Sequence, residues 1–141
     1  MRVRDFATLD LPRPIVLVNG AFDVLHSGHM KILFAARQRA KSVVVALDSD
    51  ARVARKGVGH PVQSFIERAT TLNYMPVDYV VEIEKDRDMK QLITVLQPDL
   101  RVQGWDYRGK ESKYPEVAKC FVRAGSMRTS RIIERCKRVE G

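Results

Sequence analysis

The chain has 141 residues, 45% of them hydrophobic, and carries 25 Lys and Arg against 17 Asp and Glu for a formal charge of +8. That length buries one substantial core and not two, so a single domain spanning 1–141 is expected. No run of about 18 apolar residues is present to cross a membrane, and segment 1–14 is too mixed and charged for a secretory signal, which points to a cytoplasmic protein. The only cysteines, Cys120 and Cys136, form no Cys-x-x-Cys pair. Two reduced, partly buried thiols are therefore expected, not a disulfide or a zinc site. Residues 101–141 hold eleven Lys/Arg against five Asp/Glu, a balance that suits anionic partners, nucleotide and nucleic acid alike.

Taken in chain order, a charged extension (1–14) precedes an apolar, β-branched run at 15–18 that reads as a buried strand. Apolar residues at helical spacing follow over 30–40. A second strand is expected at 43–47, a helix at 65–75, strands at 79–83 and 100–103 around a helix at 88–96, and a last strand at 117–122. Segment 129–138 has the pattern of a C-terminal helix (Ile132, Ile133, Cys136) opened by Arg128, Thr129, Ser130 and Arg131; Arg135, Lys137 and Arg138 read as its solvated face. Alternating helices and continuously apolar strands predict an α/β fold, a Rossmann-like doubly wound parallel sheet in one compact domain. Repeats, low-complexity tracts and interdomain linkers are not evident. Both the dinucleotide glycine fingerprint and the phosphate-binding lysine loop are missing, so a standard NAD or P-loop site is excluded.

The run Gly20-Ala21-Phe22-Asp23-Val24-Leu25-His26-Ser27-Gly28-His29 sets two histidines around a glycine where the first strand gives way to the first helix. A phosphate at that junction would meet the N–H groups and the positive dipole end of the helix. Ser27 is the expected N-cap, and Gly28 lets a ligand approach the backbone. In a doubly wound sheet the exit of the first strand lies where strand order reverses, which is where ligands bind.

These residues carry a resemblance. Asn19-Gly20-Ala21-Phe22-Asp23 followed by His26-Ser27-Gly28-His29 is similar to the His-x-Gly-His signature of the cytidylyltransferase-like nucleotidyltransferases, which join a nucleoside triphosphate to a phosphorylated small molecule and release pyrophosphate. Asp48-Ser49-Asp50, Lys56-Gly57, His60-Pro61-Val62, Glu67-Arg68, Val77-Asp78-Tyr79, Pro98-Asp99, Gly104-x-Asp106-Tyr107 and Thr129-Ser130-x-Ile132-Ile133 fall in the family's order over most of the chain. The heptose 1-phosphate adenylyltransferases resemble it most, then the glycerol-3-phosphate cytidylyltransferases. The resemblance implies AMP transfer from ATP to a heptose 1-phosphate, Mg²⁺ to screen the triphosphate, and a homodimer. No sugar-kinase region accompanies it in these 141 residues, so such an enzyme is expected to rely on a separate kinase.

Nucleotidyl transfer needs no strong base, because the attacking phosphate oxygen is already anionic. The barrier lies in bringing two anions together and stabilising the charge that develops on the α-phosphate and the departing pyrophosphate. His26 and His29 are the expected donors to phosphate oxygens, with Lys56, on the glycine-flanked Lys56-Gly57-Val58-Gly59, as an added cation. Asn19, Gly20, Ala21, Phe22, Asp23 and Gly28 form the expected nucleotide and phosphate cradle, with Arg128, Thr129 and Ser130 on the leaving phosphates. Phe22 has a core reading beside this one, and Asp23 is expected to orient a donor or support Mg²⁺.

Further candidates keep two readings. Arg68 is either a surface residue or a pocket residue, and Trp105, with Gly104, Asp106 and Tyr107, is either packing or a wall for a base or acceptor. His60 is either a turn residue or a substrate contact. Gln103 and Trp105 replace a lysine and a small residue of many relatives, and Arg128 replaces a serine; the loop 104–110 is also similar to that of the glycerol-3-phosphate cytidylyltransferases. CTP with a polyol or alkyl phosphate is thus the alternative pair of substrates. A non-catalytic nucleic-acid module is the remote one, disfavoured because most Phe and Tyr fall at core-like positions.

Overall fold

The computed structural model describes residues 10–55, 57, 59–109, 114–123, 132 and 134–136. Five strands form one sheet: β1 (Ile15–Gly20), β2 (Ser42–Asp48), β3 (Tyr79–Ile83), β4 (Leu100–Gly104) and β5 (Lys119–Val122). Their spatial order is β3-β2-β1-β4-β5 and every pairing is parallel. Parallel neighbours require crossovers, supplied in part by α1 (Ser27–Arg39), α3 (Phe65–Leu72) and α4 (Asp86–Leu96).

Side chains alternate across each strand, so the sheet feeds two apolar layers. Val16, Val18, Val43, Val45, Leu47 and Val102 pack with Leu33 and Ala36 of α1 and Leu72 of α3. Leu17, Val44, Ala46, Val81 and Ile83 pack on the other face with Met89, Leu92, Ile93 and Leu96 of α4. β2 lies between two strands and under both layers, and all of its residues are buried. The chain winds one way from β1 to β2 and β3, and the other way to β4 and β5. The order reverses between β1 and β4, the point at whose carboxyl ends doubly wound sheets open a ligand crevice.

Several boundaries differ from the sequence expectation. α1 begins at Ser27, not at 30, and its cap is His26 instead of Ser27: His26 accepts from the Gly28 amide, and the His29 side chain accepts from the His26 amide. α3 ends at Leu72, where the Asn73 amide closes on the carbonyls of Ala69, Thr70 and Thr71. α4 begins two residues earlier than 88, because Asp88 caps the Glu84 and Lys85 amides from inside the first turn. A short helix that the periodicity does not reveal, α2 (Asp50–Ala54), follows β2 with Ser49 as its cap. Val117 is buried but precedes β5.

Residues 132 and 134–136 are helical, as expected for the C-terminal segment. The expected phosphate-binding start of that helix (Arg128, Thr129, Ser130), Lys56 and extension residues 1–9 lie outside the described residues. Cys120 is half-buried, but Cys136 is exposed and not partly buried. Phe34, Tyr74 and Tyr107 are 54%, 83% and 54% exposed, whereas Phe22, Phe65, Tyr79 and Tyr114 lie in or against the two apolar layers. Among the described residues no helix is long and apolar enough to cross a membrane.

Candidate functional site

The loop from β1 to α1 is backbone under constraint. Phe22 and Val24 take φ of 48° and 52°, a left-handed conformation that is costly for a bulky or β-branched residue and persists only where the surroundings dictate it. The surroundings here are the segment leading into α3. Both Asp23 carboxylate oxygens accept backbone bonds, from the Val62 amide at 2.8 Å and the Gln63 amide at 2.9 Å. The Val24 amide donates to Gln63 Oε1 at 3.0 Å. Asp23, 3% exposed, therefore ties two loops together by accepting one amide bond on each carboxylate oxygen. His60 is half-buried just ahead of this tie.

Arg68 completes the clamp. Its side chain is 0% exposed, which settles the choice against a surface role. It donates to the Ala21, Asp48 and Gln63 carbonyls at 2.8, 2.8 and 3.0 Å, and to Asp50 Oδ1 at 2.7 Å. One guanidinium thus joins the exits of β1 and β2, the start of α2 and the approach to α3. A fork of five donors can satisfy such divergent acceptors where an ammonium cannot. At the same junction of β1 and β2, Asn19 Nδ2 donates to the Ala46 carbonyl and to Asp48 Oδ1, and Asp48 pairs with Arg52.

Gly20 matters for packing: a Cβ there would lie 3.1 Å from Phe22 Cε2. That close approach lets Phe22 bury to 4% exposure and set its ring 5.2 Å from that of His29. Phe22 is thus a core side chain that backs the histidine.

The histidines themselves are stacked, with ring centroids 3.8 Å apart and planes inclined by 26°. His26 Nδ1 accepts from the Gly28 amide at 3.0 Å, and His29 Nδ1 accepts from the His26 amide at 3.3 Å. A nitrogen that accepts carries no hydrogen, so these bonds assign the Nε2–H tautomer to both neutral rings. Burial, reinforced by His26 and opposed by Asp23, lowers the His29 pKa from 6.5 to about 4. His29 is therefore neutral near pH 7, a donor through Nε2–H without bearing charge. Gly28 serves this arrangement with its own amide, which is spent on the cap and not offered to a ligand.

On the far side of the reversal point, β4 ends at Gly104 and passes into a 3-10 turn, Trp105–Tyr107, that includes Asp106. Register places Gly104 opposite Val122 of β5. Sequence reasoning did not single out Asp48, Gln63 or Arg123. Asp48 sat in a noted motif, whereas the other two act through long-range contacts that no local pattern marks.

Among the described residues no group of three or more His, Cys, Asp or Glu stands together to hold a metal. Asp23, the expected Mg²⁺ support, is buried and accepts one amide bond on each oxygen. The described side chains form no all-protein Mg²⁺ cage, and an ion carried by triphosphate oxygens needs none.

A parallel sheet whose reversal point holds a constrained loop and a paired-histidine helix start defines a Rossmann-like domain of the nucleotidyltransferase class. The cytidylyltransferase-like family matches residues 17–137, and the chain belongs to it. It is similar to the bifunctional protein HldE of Campylobacter concisus, 43% identical over 109 residues, which cover 76% of this chain and 23% of that protein. The bifunctional protein HldE of Campylobacter curvus is 41% identical over 132 residues, covering 89% of this chain and 28% of that protein. The chain thus spans about a quarter of the length of these relatives. The fold is shared with a bifunctional NMN adenylyltransferase/ADP ribose pyrophosphatase of Francisella tularensis, at a TM-score of 0.62 and 17% identity over 86% of this chain and 40% of that one.

Proposed function

We propose that this domain transfers AMP from ATP to the phosphate of a small molecule, a heptose 1-phosphate, and releases pyrophosphate. The stacked pair His26 and His29, each with its proton on Nε2, is the observation that carries the reading. An acceptor phosphate oxygen attacks the α-phosphorus and a new P–O bond forms. The bond from the α-phosphorus to its bridge oxygen breaks, and pyrophosphate departs with the electron pair. Neutral donors held in advance stabilise the charge building on the α-phosphate without first drawing a proton from water. The cytidylyltransferase-like family match and the similarity to two HldE proteins support nucleotidyl transfer, and the choice of nucleotide and sugar follows the resemblance to the heptose 1-phosphate adenylyltransferases.

The remaining roles follow the family resemblance. Lys56 supplies a cation to the triphosphate, and Arg128, Thr129 and Ser130 receive the leaving phosphates. Mg²⁺ enters as part of the nucleotide substrate. The domain works as a homodimer in the cytoplasm.

The test is pyrophosphate release with ATP and CTP crossed against heptose 1-phosphate and glycerol 3-phosphate. Release is expected with ATP and heptose 1-phosphate only, falling by about 10²-fold or more in His29→Ala, the usual effect of removing one transition-state donor. Release with CTP and glycerol 3-phosphate instead would replace this substrate pair by the cytidylyl one. No release with any pair from folded protein would refute the proposal.

A further inference from the structure

Gly104 and Val122 are paired in adjacent parallel strands, so the residues just beyond them, Trp105 and Arg123, emerge side by side at the carboxyl edge of the sheet. Arg108 closes the 3-10 turn that follows, its amide bonded to the Trp105 carbonyl at 3.0 Å. The two arginines converge on one indole: the Arg108 guanidinium carbon lies 4.0 Å from the Trp105 ring centre and that of Arg123 lies 4.2 Å from it. Neither makes an ion pair with a described side chain. Two cations so placed are separated by no more than roughly one Debye length and feel each other's charge. Attraction to the ring offsets part of that repulsion; an anion shared between them would offset the rest. The guanidiniums also occupy the space over the ring that a stacking base would need, which argues against Trp105 as a platform for a nucleobase.

We propose that Trp105, Arg108 and Arg123 form a phosphate subsite, in which the indole holds two guanidiniums in place to grip a phosphate group by charge-assisted, forked hydrogen bonds. It lies across the reversal point from the histidines, beyond β4 and β5. A substrate phosphate held there is drawn toward the crevice from the side opposite the Asp23–Arg68 clamp. The subsite serves a phosphate of one of the two substrates; its assignment to the acceptor or the nucleotide rests on the transfer reaction proposed above.

Trp105 is the only tryptophan in the chain, so its fluorescence reports on this site alone. Titration of the intact protein with inorganic phosphate at constant ionic strength is expected to give a saturable change in that emission. The exposed positions make Arg108→Gln with Arg123→Gln compatible with folding, confirmed by circular dichroism, and the double variant is expected to raise the apparent Kd by about tenfold or more. Absence of a saturable change in the wild type, or the same curve in the double variant, would overturn the subsite. In the transfer assay, an acceptor KM raised about tenfold with the nucleotide KM unchanged assigns the subsite to the acceptor's phosphate, and the reverse assigns it to the nucleotide. Unchanged KM values for both would overturn its part in the reaction. Failure of the wild type to turn over any substrate would refute the transfer proposal while leaving the fluorescence result to decide the anion site.

Discussion

Replacing Arg68 by Met preserves most of its apolar stem and removes the guanidinium that holds four segments together. Three carbonyls, of Ala21, Asp48 and Gln63, then lose their charged donor. Each acceptor left unpaired costs about 1–3 kcal/mol where water cannot replace the donor. The Asp50 side chain is 51% exposed, so that carboxylate rehydrates and its loss as an ion-pair partner adds little. The costs are not independent, and a total of about 3–5 kcal/mol matches what removing one partner of a buried charged network typically costs. A domain of this size has about 5–15 kcal/mol of stability in all. Thermal unfolding of Arg68→Met followed by circular dichroism is therefore expected to show Tm lowered by roughly 10–20 °C. Arg68→Lys, which keeps the charge but not the fork, should fall between the two. A Tm for Arg68→Met within about 2 °C of the wild type would refute the view of Arg68 as the clamp.

Other consequences follow from the same contacts. Asp23→Asn replaces one of two acceptor oxygens by an amide donor facing a backbone N–H, so a loss of about 1.5–3 kcal/mol is expected in denaturant unfolding. Amide exchange at Val62 and Gln63 should quicken with it; unchanged protection there would count against the tie. His29 titrates at about 4 in the fold against an ordinary 6.5, so the unfolded chain binds more protons between those values. The stability this neutral ring contributes is present above about pH 6.5 and is lost as the pH falls toward 4. His29→Gln should flatten the pH dependence of unfolding free energy across that window, and parallel curves for the two proteins would contradict the assignment.

Much of the fold is legible because the strands are largely apolar: residues 43–47 are apolar throughout and 79–83 are interrupted only by exposed Glu82, so both stand out between turn signals and need no tertiary context. Helix ends are less legible. α1 starts early because two histidines cap it, a task more commonly given to Ser, Thr, Asp or Asn, so Ser27 drew the expectation although it is an exposed first residue of the helix. α2 is too short for its period to show, although Ser49 ahead of Asp50 is a capping signal in retrospect. Within the site, the histidine pair is visible from sequence because its members are three residues apart on one element. The partners of Asp23 stand 39 and 40 residues away and those of Arg68 up to 47, distances over which only the folded sheet determines who meets whom. The tie from Asp23 to the Val62 and Gln63 amides has no local signal either, since it exists only once the fold brings those segments together.

Transfer of label from ATP tests the reaction most directly, because nucleotidyl and phosphoryl transfer break different bonds. With heptose 1-phosphate and ATP labelled at the α-phosphorus, the label is expected in the sugar product, whereas label at the γ-phosphorus is expected in pyrophosphate, and both transfers should fail in His29→Ala. Label from the γ-phosphorus appearing in the sugar product would contradict nucleotidyl transfer at the paired histidines.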